Sequence, residues 1–582
     1  MIDTHHSPLG IRLSAATVLA TSLLVAGSVS AQPYRSIDGS GNNVLNSNWG
    51  QAGTAFVRLA PDSYPDGIGD VFLQSPEVPN AREVSNALFS QSSPIDSAHG
   101  MSSGVWQWGQ FLDHDITFTP TNAAEPHMIF GPEDDPHSMA MIPMNRSQVS
   151  SGPGELRQQT NAITAYIDGS NVYGSDQHTA DALRSGVGGK LLTSADNLLP
   201  TTDMITDVDM DHNNNPSTMF VAGDVRANEQ LGLTAMHTLF MREHNRIAQA
   251  LVDNGGYDPV ADDDLIYLKT RSIVGAEMQA ITFNEFLPSL LGEYAPQAAD
   301  YAYDPNVNAS IANEFSTALF RVGHTMLNEN LLLAGEGGEV VGQIALRDAY
   351  FTGADTIASS PELVDKLLMG LATQTSQEID TKVVDDVRNF LFAPQMGMGL
   401  DLASMNIERG RDHGLADYNT MLSTYESLMA GVPGFDQVDL TAALDFDDLN
   451  TSPEIIAQLE TLYSSVSALD PWMMALAETH VDGTNVGPLV LAGLVDQFTR
   501  LRDGDSHFYM GNSYLWSDEV SEVVNFDNLV LMDIVAWNTD MKNSPMTFFH
   551  VTTVPEPGAL ALLGLGLTGL ALARWNRNGF HS

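Results

Sequence analysis

Leu233, Met236, His237, Phe240, His244 and Ile247 return at intervals of three and four residues. That spacing puts them on one face of an α-helix rather than on alternate faces of a strand. Similar stripes recur near residues 315–326, 362–371 and 486–501. Each stripe needs another apolar surface to cover it, so several in one chain predict helices packed on helices. With 43% hydrophobic residues in 582, the chain can bury a large core, and with no cysteine it holds that core without disulfides. The stretches 120–160 and 190–222 lack periodicity and read as long irregular connections. No internal repeat, heptad run or long Pro/Ser-rich linker divides the chain. The expected fold is mainly α: one large helical domain over residues 32–550, with long loops and few short β-hairpins.

Both ends read as processing segments. Arg12, the apolar run Leu13 to Ala26 and the small residues Val29-Ser30-Ala31 make residues 1–31 a signal peptide. At the other end Val554-Pro555-Glu556-Pro557 precedes an apolar run from Gly558 to Ala573, closed by Arg574 and Arg577. The run is shorter than the roughly 20 residues of a full span, which suits transient membrane anchoring; an ordinary C-terminal anchor is the alternative. Residues 554–578 resemble the PEP-CTERM sorting signal of Gram-negative bacteria. That resemblance implies a sorting transpeptidase-like enzyme as partner and a secreted, cell-surface or extracellular-matrix location. Lys+Arg 25 against Asp+Glu 73 gives a net charge of −48, which repels nucleic acid and anionic membranes. The same field disfavours anionic substrates unless their channel is locally basic.

Chemistry concentrates in Trp108-Gly109-Gln110-Phe111-Leu112-Asp113-His114-Asp115. On a helix Gln110 and His114 share a face, while Asp113 and Asp115 point roughly 100° to either side. A Gln and a His facing a pocket can handle a small polar ligand, one carboxylate can tether it, and the other can hold a hard cation. A buried, satisfied polar helix is the plain alternative. Further blocks follow. In Arg226-Ala227-Asn228-Glu229 the charges lie three apart, as in a helical surface ion pair. His324 stands in Phe320-Arg321-Val322-Gly323-His324-Thr325, where a lone apolar-face histidine is commonly a core residue. Thr164, Tyr166, Asp168 and Ser170 alternate oxygen donors, as a calcium loop or a simple turn does. Asp207, Asp209, Asp211 and Asn213 imitate the start of an EF-hand but lack its Gly and Glu, and read as a solvated loop.

Taken in order with Tyr34-Arg35-Ser36-Ile37-Asp38-Gly39, Asn406-Ile407-Glu408-Arg409-Gly410-Arg411-Asp412-His413-Gly414 and Leu501-Arg502-Asp503-Gly504-Asp505, these blocks resemble the animal-type haem peroxidases of the peroxidase-cyclooxygenase superfamily. The resemblance spans about residues 33 to 545. It implies a secreted enzyme that binds haem b, reduces hydrogen peroxide through an oxyferryl intermediate, and oxidises halide, thiocyanate or small phenolic donors. By the same resemblance His114 is the acid and base of peroxide cleavage, Arg226 stabilises the charge on the breaking bond, and Gln110 holds a water or halide. His324 is the iron ligand, its ring N–H donating to the Asn406 amide, and Arg409 neutralises a haem propionate. Asp113 and Glu229 match positions that form ester bonds to haem methyl groups. Gln230 replaces the methionine of a third link in one branch. Asp115, Thr164, the Tyr166 carbonyl, Asp168 and Ser170 form a calcium site, and His413 is structural. Cysteine's absence departs from the disulfide-bonded vertebrate members. A lipid dioxygenase of the superfamily would need tyrosine three residues before His324, where Arg321 stands. An adhesion or matrix protein with a peroxidase-like body is the other alternative, against which Gln110, His114, Arg226 and His324 are all intact.

Overall fold

The computed structural model describes residues 34–70, 78–211, 218–393, 399–542 and 547–551. The expected signal peptide and sorting tail lie outside them. Among the described residues no helix is long and apolar enough to cross a membrane.

The stripe of Leu233, Met236, Phe240 and Ile247 belongs to the long helix Leu231–Gly255 and is fully buried. Gln230 starts this helix by accepting from the Gly232 N–H at 2.6 Å, and Gly256, at φ 71°, ends it in the left-handed conformation. Helices Asp263–Ile281, Leu363–Thr373 and Leu531–Asn538 pack around it. The stripes near 362–371 and 486–501 become helices Leu363–Thr373 and Pro488–Asp503. The stripe at 315–326 does not form a regular helix. Phe315–Leu319 is one wide π turn and Arg321–His324 one tight 3₁₀ turn. The Phe320 N–H reaches back five residues to the Phe315 carbonyl at 2.9 Å, and the two rings stack at 4.7 Å. The wide turn permits that stack and re-aims the chain just ahead of His324.

Helix Ser103–Ile116 carries Gln110 and His114. Ser102 caps it, accepting from Gly104 N at 3.1 Å and donating to the Phe548 carbonyl. A Cβ on Gly104 would sit 2.5 Å from that carbonyl oxygen, so glycine lets the C-terminal segment dock here. Trp108 and Phe111 pack against Phe240 of the long helix, ring centroids 5.8 and 5.0 Å away.

Strands form three antiparallel pairs: Thr54–Ala55 with Thr160–Asn161, Thr121–Phe130 with Met141–Ser147, and Asn330–Ala334 with Val340–Ala345. The second corrects the reading of 120–160 as irregular. Its register shifts between Thr121 and Pro126, and that break hides the strand alternation.

Two buried charge networks tie distant segments. Arg82 is fully buried; its Nε donates to Asp135 Oδ2 at 2.7 Å, its Nη1 to Asp401 Oδ2 at 2.7 Å and its Nη2 to Asn389 Oδ1 at 2.9 Å. Asp401 also caps helix Leu402–Asp412 by accepting from Ala403 N and Ser404 N. Elsewhere Arg35 donates to both oxygens of buried Asp505, at 2.8 and 2.5 Å.

Candidate functional site

A cavity of about 370 Å³ opens between helix Ser103–Ile116, the turn before the long helix, the tight turn Arg321–His324 and helix Leu402–Asp412. Gln110, Asp113, His114, Arg226, Glu229, His324, Asn406 and Arg409 all line it. Phe118, Phe286, Phe320, Phe392, Leu402 and Met405 supply apolar wall. As the helical spacing requires, Gln110 and His114 face the cavity while Asp115 turns away into the loop around Asp168; Asp113, about 100° round the helix, also reaches the cavity wall.

His114 is buried, and burial together with the nearby Arg226 cation drives its pKa well below the usual value. The ring is therefore neutral at neutral pH. Arg226 donates from Nε to Asp224 Oδ1 at 2.9 Å, and from Nη2 to Asp224 Oδ2 at 2.8 Å and to the Thr117 carbonyl at 3.1 Å. Its guanidinium lies 4.5 Å over the Phe118 ring. Burial pushes Asp224 upward, but the Arg226 cation and its hydrogen bonds outweigh it and hold the carboxyl at about 2. Asp224 Oδ1 also lies 3.3 Å from His114 Nδ1, off the line of a full hydrogen bond. Sequence reasoning missed Asp224; its position two residues before Arg226 was the available signal. Arg226 and Glu229 do not share a helical face. They sit in a turn closed by the Glu229 N–H on the Arg226 carbonyl at 2.8 Å, and the helix starts only at Leu231.

On the opposite wall His324 Nδ1 meets the Asn406 amide at 2.7 Å. The amide presents its nitrogen, not the expected oxygen, because Arg321 Nη1 claims Asn406 Oδ1 at 2.9 Å. Burial and then Arg321 lower the His324 pKa to about 3, leaving a neutral ring. For Nε2 to offer its lone pair to a metal, Nδ1 carries the proton and the amide turns its oxygen inward, which requires Arg321 to release it. Arg321 itself is held by Asn406 and the Ser316 carbonyl, and burial lowers its pKa to about 10. Arg409 reaches the cavity wall while donating to Asn145 O, Ser147 Oγ and Asp412 Oδ2 at 3.0, 2.9 and 2.9 Å. His413 is pinned between Ser147 and Asn313 at 2.7 Å each, in keeping with a structural role.

Burial raises the cavity carboxyls, Asp113 to about 6 and Glu229 to about 7, against the pull of Arg226. Gln110 Oε1 accepts from Gln230 Nε2 at 3.1 Å and Gln107 Nε2 at 3.3 Å. That cluster turns the amide nitrogen of Gln110 away from these donors.

The candidate cation loop is a separate cluster. Ser170 Oγ donates to Asp115 Oδ1 at 3.1 Å and Thr164 Oγ1 to Asp168 Oδ1 at 3.0 Å; Asp115 Oδ2 accepts the Asp168 N–H at 3.1 Å. The Tyr166 hydroxyl instead points away, donating to the Trp49 carbonyl at 2.7 Å. Burial and the neighbouring Asp168 push Asp115 up to about 8. Two buried carboxylates facing an all-oxygen donor set form an arrangement that a hard cation relieves. No group of three or more His, Cys, Asp or Glu residues gathers as a metal cluster among the described residues.

Residues 34–549 match the family described as animal haem peroxidase, and residues 553–577 match the PEP-CTERM protein-sorting motif. The peroxidasin homolog of Homo sapiens is 35% identical over 536 residues, covering 82% of this chain and 35% of its own length. Peroxinectin A of Dictyostelium discoideum is 30% identical over 505 residues, covering 82% of this chain and 89% of its own. The chain thus spans about a third of the length of the peroxidasins it matches. Peroxidase A from Dictyostelium discoideum superposes with a TM-score of 0.78 at 28% identity, over 89% of this chain and 100% of that one. The fatty acid alpha-dioxygenase of Arabidopsis thaliana reaches 0.71 at 19% identity, over 90% of this chain and 85% of that one, a likeness of fold alone.

Proposed function

Since the chain belongs to the animal haem peroxidase family, we propose that it is an exported haem peroxidase that consumes hydrogen peroxide and oxidises halide, thiocyanate or small aromatic donors. The observation that carries this reading is the single cavity in which neutral His114 and cationic Arg226 face His324. The cavity also suits the cofactor: apolar rings suit a macrocycle, Arg321 and Arg409 suit its acidic side chains, and Asp113 and Glu229 on the wall support ester links to it. When bound, haem supplies the iron at which the O–O bond of peroxide is cleaved.

The chain's own residues supply the proton chemistry. His114 takes a proton from peroxide at Nε2 and returns it to the leaving oxygen. Arg226, cationic at every working pH, stabilises negative charge as the bond breaks. Gln110 holds a water or halide beside His114. His324 would hold the iron, with Asn406 orienting its ring. Arg226, Arg321 and Arg409 set three guanidinium groups in the cavity wall beside Asp113 and Glu229, inside a chain of net charge −48, and these support small anions as donors; Phe118, Phe286 and Phe392 support aromatic ones. Calcium bound by Asp115, Thr164, the Tyr166 carbonyl, Asp168 and Ser170 would lock that loop to the helix bearing His114. The sorting motif supports export and surface sorting in a Gram-negative bacterium, with the transpeptidase-like enzyme as transient partner.

The test is the absorbance spectrum of the full chain supplied with haem, before and after one equivalent of hydrogen peroxide. A Soret band that shifts, then recovers on adding bromide, iodide, thiocyanate or a phenol, is expected. A folded protein that binds no haem refutes the reading.

A further inference from the structure

We propose that Asp224 is a positioning residue of the peroxide reaction, one carboxylate that fixes Arg226 and aims the basic nitrogen of His114 into the cavity. The proposal rests on the peroxidase reading above. Three donors converge on this side chain. Arg226 approaches broadside, Nε to Oδ1 at 2.9 Å and Nη2 to Oδ2 at 2.8 Å, and its backbone N–H adds a third bond to Oδ1 at 2.9 Å. A two-point grip of this kind fixes the plane of a guanidinium as well as its distance. It turns Nη1 to the cavity side, where the carboxylate it approaches is Asp113 at 3.7 Å.

The same Oδ1 is the acceptor that His114 Nδ1 faces at 3.3 Å. Which imidazole nitrogen carries the proton is set by the hydrogen bond its partner nitrogen makes. An anionic acceptor at Nδ1 holds the proton there and leaves the Nε2 lone pair for the cavity, the form a general base needs. His114 Nδ1 has no aligned hydrogen-bond partner among the described residues, and Asp224 Oδ1 at 3.3 Å is the carboxylate oxygen that stands before it.

Asp224 is itself held through Asn171. Its backbone N–H donates to the Asn171 carbonyl at 3.0 Å, and Asn171 Nδ2 donates to the Phe111 carbonyl at 2.7 Å, three residues before His114 on the same helix. The carboxylate and the helix it serves are therefore clamped to one another through Asn171. An amide at position 224 cannot do this work. It has one acceptor where Arg226 and His114 need two, and its NH₂ would face a donor.

The test uses the haem-loaded full chain. Asp224→Asn should keep wild-type haem content and Soret position while its rate constant with hydrogen peroxide falls about 10- to 100-fold. Its association with cyanide should slow in parallel, since HCN must also surrender a proton to Nε2. Asp224→Glu, which restores the charge, should recover part of both rates. An Asp224→Asn enzyme with wild-type rates for both reagents overturns the proposal. Should that variant lose its haem, ¹⁵N spectra of histidine-labelled wild type in the diamagnetic ferrous carbonyl form decide the matter, His114 being assigned by difference with His114→Gln. Protonated Nδ1 is expected, and protonated Nε2 refutes the assignment. A wild type inert to peroxide would instead sink the peroxidase reading.

Discussion

Replacing Arg82 by methionine keeps most of its volume and removes its charge from a fully buried place. Two carboxylates lose their cation at once, since Asp135 and Asp401 each accept from Arg82 at 2.7 Å. Breaking a buried pair from one side costs about 3–5 kcal/mol. Both carboxylates keep other donors: Asp135 retains Asn86, His137 N and Met139 N, and Asp401 retains Ala403 N and Ser404 N. That residual bonding places the expected loss at the lower end, about 3 kcal/mol at pH 7. The loss also depends on pH. Burial would raise the Asp135 pKa, yet its hydrogen bonds from Arg82 and Asn86 prevail and hold it below the ordinary value. A depressed carboxyl contributes stability that is present above its unfolded pKa of about 3.9 and lost as pH falls through the folded one. The variant lacks that contribution, so the gap from wild type should hold from pH 7 to about pH 5 and narrow below about pH 4. Urea unfolding followed by tryptophan fluorescence at several pH values measures both effects. A loss under about 1 kcal/mol at pH 7, or a gap that widens on acidification, refutes the reasoning. Adding Asp135→Asn and Asp401→Asn should recover most of the loss.

His324→Ala should fold but fail to retain haem through gel filtration; a normal Soret band in that variant contradicts the ligand assignment. Glu277 is fully buried beside Glu243, and burial, then the neighbouring Glu243 carboxylate, raise its pKa well above the usual value. The folded state then holds a proton that the unfolded state releases, so stability falls as pH rises above about 4.3. Glu277→Gln should therefore stabilise the chain, more at pH 8 than at pH 5, and thermal melts showing the opposite order would count against a protonated Glu277. Calcium should raise the melting temperature of chelator-treated protein, by the equivalent of about 2.7 kcal/mol at a hundredfold excess over Kd. Asp168→Asn should abolish that response, and an unaltered response removes the calcium loop.

Spacing was a good guide where the backbone stayed regular. Gln110 and His114 share the cavity face and Asp115 turns away, as a helix of 3.6 residues per turn dictates. It failed where the backbone departs from that geometry. The stripe at 315–326 mimics a helix, but the Phe315–Phe320 stack selects a wide turn that periodicity cannot distinguish. Arg226 and Glu229 have helical spacing in a turn that precedes the helix. Asp224 was hidden for another reason. It is one of 73 acidic residues, and only folding brings it against His114, 110 positions earlier in the chain. The Asn406 orientation likewise hangs on Arg321, 85 residues away, so its amide direction is a tertiary property.

The pair of Arg35 and Asp505 spans a sequence separation of 470 residues. A chain that emerges amino end first has nothing to close this clasp until nearly all of it has been made, and with no cysteine no covalent staple can stand in meanwhile. The segment around Arg35 can dock earlier on Thr160–Asn161 and Arg271, but its ion pair stays open through most of synthesis, and contacts this remote in sequence form slowly. A protease present in that interval would meet the segment around Arg35 with one hold missing, so cleavage there should be faster before residue 505 has folded into place than after.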